Sequence, residues 1–112
     1  MKTILILIFL LLSSVAYSQV EVTHVGIQGS AGARYAVFMF KNTTKKPLKN
    51  IVVAYDVTIK VVNKSGKQWE TKTTEMVEVK EIKPGQTYEH KHPYNDSVVQ
   101  IISSAFSSVI QK

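Results

Sequence analysis

Between positions 51 and 63 the chain reads IVVAYDVTIKVVN, and its odd positions Ile51, Val53, Tyr55, Val57, Ile59 and Val61 are all apolar. The even positions between them include Asp56, Thr58 and Lys60. Side chains alternate with a period of two along a strand, so this segment predicts a long strand with one face turned to a core. A helix would scatter the same six side chains around its axis. The segment 20–27 repeats the pattern more weakly, with Val20, Val22 and His24 on one face and Glu21, Thr23 and Val25 on the other. Along 33–41, Tyr35, Val37 and Met39 oppose Ala36, Phe38 and Phe40. Both sides are apolar, which predicts a central strand covered on both faces.

Turn formers separate these segments. Gly26, Gly29, Ser30 and Gly32 interrupt the chain before the second strand, and NTTKKPLKN at 42–50 follows it, with Pro47 barring a ladder and favouring a crossing between sheets. Lys64, Ser65 and Gly66 make the next turn, and Pro84-Gly85 has the signature of a type II turn. Between them, 67–82 is long and polar. Trp69, Thr71, Thr73, Glu75, Val77 and Val79 alternate there with Glu70, Lys72, Thr74, Met76, Glu78 and Lys80. It predicts an edge strand whose charges deter pairing with other chains and whose second half, from Met76, rejoins the core. The segment 87–92 is a further strand with Tyr88, His90 and His92 on one face. In 97–110, Val99, Ile101 and Ala105 oppose Val98, Ile102, Phe106 and Ile110. Its serines and β-branched residues favour a strand, while Val98, Ile102, Ala105 and Val109, at spacings near four, leave a helix as the alternative.

Short strands at this spacing, with no amphipathic helix, predict an all-β fold: a sandwich of about six to seven mostly antiparallel strands. The stretch FKNTTKKPLKNIVVAYDV, the turn at 63–66 and IKPGQTY at 82–88 resemble the small immunoglobulin-like sandwiches of bacterial envelope proteins, in particular FxLYD-type domains. The resemblance implies an extracytoplasmic accessory domain with no catalytic residues to carry over.

The opening MKTILILIFLLLSSVAYSQ changes the compartment rather than the fold. Lys2 supplies a positive end, nine apolar residues follow from Ile4 to Leu12, and Ala16 and Ser18 are small residues at −3 and −1 of a cut before Gln19. A cut before Tyr17 is the alternative. The apolar run is far short of the roughly 20 residues that span a bilayer, so residues 1–18 read as a cleavable signal peptide and 19–112 as one domain. With no cysteine, an exported chain of this size points to a bacterial periplasm or outer surface rather than to a eukaryotic secretory lumen, where small secreted domains are commonly disulfide-rich.

Composition narrows the chemistry. The chain carries 14 basic and 8 acidic side chains, a formal charge of +6, and signal cleavage removes only Lys2 from that balance. Lys41, Lys45, Lys46 and Lys49 crowd one turn, which makes Lys45, Lys46 and Lys49 candidates for docking an envelope protein or an anionic glycan, against the plainer reading of a solvated loop. Nucleic acid is not expected, because no basic patch with interleaved aromatics is present. His90-Lys91-His92 places two imidazoles on one face of a strand, where they could share zinc or copper with His24, Glu89, Asp96 or another carboxylate, against a pair of solvent-facing edge histidines. Trp69 could stack on a sugar ring or cap the core. The triplets Asn42-Thr43-Thr44, Asn63-Lys64-Ser65 and Asn95-Asp96-Ser97 match the glycosylation pattern but read as turn chemistry. Asp56, His90 and a serine could be drawn as a triad, yet no serine lies in a nucleophile elbow. The reading is therefore a non-enzymatic binding or structural module without a cofactor, with a small copper- or zinc-binding protein using His90 and His92 as the alternative.

Overall fold

A computed structural model describes residues 19–111, and the signal-peptide reading over 1–18 lies outside them. All six elements are strands: β1 (Val20–Gln28), β2 (Tyr35–Asn42), β3 (Leu48–Val62), β4 (Gln68–Ile82), β5 (Thr87–Pro93) and β6 (Val98–Gln111). They form two antiparallel sheets, ordered β1-β2-β5 and β4-β3-β6. The turn carrying Pro47 crosses from one sheet to the other, as its composition predicts.

The sheets meet through their apolar faces. Ala36, Phe38 and Phe40 of β2 are fully buried against Val53, Tyr55 and Val57 of β3. Tyr55 lies between the two phenylalanines, with ring centroids 4.8 Å from Phe38 and 5.1 Å from Phe40. Tilted rings at such distances add about 0.5–1.5 kcal/mol each beyond their buried area. Val77, Val79 and Ile82 bring the second half of β4 into the same cluster, while its first half stays exposed or half-buried.

Two expectations need correction. β2 is central in its sheet but covered by another layer on one face only. Tyr35, Val37 and Met39 form the outer face and are half-buried. Cross-strand neighbours shield that face, for instance Lys91, whose Nζ lies 4.5 Å from the Tyr35 ring centroid. The segment 97–110 is a strand, but its faces are not the expected ones. Val98, Ile101, Ser104, Phe106 and Val109 pair with Val61, Ile59, Val57, Tyr55 and Val53, the inward residues of β3. Register shifts opposite Ala54/Tyr55, Thr58/Ile59 and Lys60/Val61 break the ladder three times. Each bulge adds a residue to β6 without turning the following side chains to the wrong face. Ile102 and Ile110, expected alongside Phe106, are exposed.

Candidate functional site

The lysine turn is built on Asn42, the last residue of β2 and fully buried. Its Nδ2 donates to the carbonyls of Lys46 and Ile82, each at 2.8 Å. Its Oδ1 accepts from Thr44 N at 2.9 Å and Thr44 Oγ1 at 2.6 Å. The Asn42 amide N–H and carbonyl are used as well, by Gln86 and Gly85 of the Pro84-Gly85 turn. One side chain thus ties the lysine turn to the ends of β4 and β5. Lys41, Lys45, Lys46 and Lys49 all project into solvent there. Among the described residues Lys49 is the one of the four in an ion pair, 3.7 Å from Glu81. Lys41 stands across the β1–β2 ladder from Glu21.

All three histidines face the space between the sheets. His24 Nδ1 and Ser104 Oγ are 2.7 Å apart, which bridges β1 to β6 along one open side of the sandwich. This pair lines a shallow cleft of about 380 Å³ with Val22 and Ile102. Along the other side His92 Nε2 lies 3.3 Å from Glu75 Oε2, bridging β5 to β4. His90 sits between, stacked on Phe40 at 6.4 Å and edge-on to His92 at 5.6 Å. Burial holds the His90 imidazole below its ordinary range, the neighbouring His92 lowers it further, and Glu75 opposes both. The hydroxyls of Tyr55 and Tyr94 are buried nearby without a hydrogen-bond partner among the described residues, and burial pushes both phenols well above their usual range.

His90 and His92 therefore share a face, as their spacing predicts, but it is the inward face. Among the described residues no three histidines or carboxylates are grouped as metal ligands would be. The drawn triad does not assemble: Asp56 accepts from Thr74 Oγ1 at 2.7 Å on the outer face of β3, away from His90. The His24–Ser104 pair has no carboxylate bonded to the imidazole among the described residues. Trp69 does not cap the core; it is 44 % exposed beside Val61 near the tip of the β3–β4 hairpin.

Sequence reasoning missed two residues here. Glu75 was visible as the lone acid in the inward register of β4, between Thr73 and Val77. Asn42 carried its signal in the Asn-x-Thr triplet. The Oδ1 atoms of Asn42, Asn63 and Asn95 each accept from the backbone N two residues on, so all three triplets are side-chain-closed turns. The chain matches no known family model, no curated protein and no solved structure.

Proposed function

We propose that this chain is an exported, non-catalytic domain of immunoglobulin-like type, and that its lysine turn docks anionic groups of the cell envelope. The strand order supports the fold assignment. β1-β2-β5 follows strands A-B-E, and β4-β3-β6 follows C′-C-F, of an immunoglobulin sandwich without its D and G strands. The observation that carries the binding reading is Asn42. A buried amide that fixes the carbonyl of Lys46 and the backbone of Thr44 holds the backbone of the lysine turn in one arrangement, so little backbone ordering cost remains when a partner binds. A solvated loop needs no such anchor.

The test is retention on immobilised heparin, a polyanion standing in for an anionic envelope glycan. Lys45→Glu/Lys46→Glu is compared with Lys64→Glu/Lys67→Glu, which makes the same charge change at the opposite end of β3. The wild type and the Lys64/Lys67 variant should elute late, and the Lys45/Lys46 variant early, at unchanged melting temperature. Equal losses in both variants would reduce the binding to overall charge and overturn the proposal.

A further inference from the structure

Of the four strands at sheet edges, β4 is the long and regular one. Its register with β3 keeps one offset, without a bulge, from Gln68–Val62 to Ile82–Leu48, and the pairing lapses only at Asn50, whose φ is +49°. β6 is interrupted three times, β1 once, and β5 has only 7 residues. A long, unbulged edge is a template for another strand. The solvent-facing side chains along it are Glu70, Lys72, Thr74, Met76, Glu78 and Lys80, all exposed.

That order, acid, base, neutral, neutral, acid, base, is its own complement when reversed. Set a second copy of β4 antiparallel to the first with the two-fold axis at Glu75. Glu70 then faces the second copy's Lys80, Lys72 faces its Glu78, and Thr74 faces its Met76, each pairing occurring twice. Moving the axis to Thr74 sets Glu70 against Glu78, and moving it to Met76 sets Lys72 against Lys80. A half-residue slip would oppose side chains on different faces, which pleating forbids. The charges therefore select one register. On the inner face Glu75 meets its own symmetry mate, where each carboxylate already has His92 Nε2 of its own chain at 3.3 Å. The flanking inner pairs are Thr73 with Val77 and Thr71 with Val79, which suit a half-buried sheet surface.

We infer that the protein forms a two-fold dimer through antiparallel pairing of β4 with β4, joining two three-stranded sheets into one of order β6-β3-β4-β4-β3-β6. Roughly ten main-chain hydrogen bonds would supply the attraction. The cross-strand ion pairs, individually weak in water, would fix the register and exclude others. The same charges that suggest an edge protected against pairing thus specify a single partner. The inference stands independently of the lysine turn.

Sedimentation of the purified protein over a concentration series should show a reversible monomer–dimer equilibrium. Lys72→Glu or Glu78→Lys alone places like charges opposite each other at two symmetric positions and should weaken the dimer at least about tenfold. Lys72→Glu/Glu78→Lys restores opposite charges and should return affinity to within about threefold of wild type. Independently, Thr74→Cys chains mixed in equal amount with Met76→Cys chains and oxidised should give the mixed disulfide well above the one-half share that random pairing would produce. A protein that stays monomeric to its solubility limit, single variants that dimerise like wild type, a double variant no better than the singles, or a statistical disulfide mixture would each overturn the inference.

Discussion

An asparagine with no exposed surface is tolerable only when its amide is saturated, because an orphaned buried donor or acceptor costs about 1–3 kcal/mol. Asn42 meets that condition with two donated and two accepted bonds. Replacing it with alanine leaves the carbonyls of Lys46 and Ile82 without that donor and removes the acceptor of Thr44. The expected loss is roughly 2–4 kcal/mol in urea unfolding. Asn42→Asp should cost no less, since one of its oxygens would then face the Ile82 carbonyl that Nδ2 now serves. A stable Asn42→Asp protein would mean that the turn does not depend on this side chain. Gly29 is constrained by its backbone instead. At φ +88° its missing Cβ would collide with the Ala33 carbonyl oxygen, so the glycine of this turn is required by space as well as by dihedral angle.

At the scale of elements, β6 decides whether periodicity or bulging governs which residues are buried. Phe106 packs against the core cluster and stands opposite Tyr55, whereas Ile110 is 49 % exposed. Phe106→Ala should therefore cost about 2–4 kcal/mol by thermal or urea unfolding, and Ile110→Ala under about 0.5. Similar costs at both positions would mean that β6 presents the unbroken alternation instead. This strand also marks where the sequence stopped being readable. β3 from Ile51 to Val61 and β4 from Thr71 to Val79 keep period-two faces, so those inward sets follow directly from the pattern, whereas the step of three from Val79 to Ile82 accompanies the positive φ of Asn50 opposite. In β6 three extra residues stretch the inward spacing to three at several steps, and the near-four recurrence of Val98, Ile102, Ala105 and Val109 mixes the inward Val98 and Val109 with the exposed Ile102 and Ala105. Bulges depend on the partner strand, and no local signal reports them. The apolar outer face of β2 has a similar origin: neighbours in the same sheet shield Tyr35, Val37 and Met39 sideways, and a sequence pattern does not distinguish that from a covering layer. The shared face of His90 and His92 was legible from spacing alone. Its inward direction, and Glu75 as its partner, depended on how the two sheets stack.

Across the whole molecule, two sheets without a hydrogen-bonded ladder between them are held by the core and by side chains reaching across. Imidazoles serve at both open sides, His24 to Ser104 and His92 to Glu75, with His90 between the sheets on Phe40. His90 is held below its ordinary value of 6.5 by burial first, then by His92, against the pull of Glu75. The unfolded chain therefore takes up this proton at a higher pH than the folded one does. Stability from the neutral imidazole is present in full above about pH 6.5 and is lost as the pH falls from there through the lower folded-state value. The urea midpoint should accordingly drop between pH ~7.5 and pH ~5, and His90→Gln should flatten that drop. Charging His90 puts a cation beside His92 and against the Phe40 ring, so the contacts that fail first should be those joining β5 to β4. Amide exchange in that window should quicken in β5 before it does in β2 or β3. Uniform acceleration across all six strands would instead mean that His90 reports global unfolding rather than the seam between the sheets.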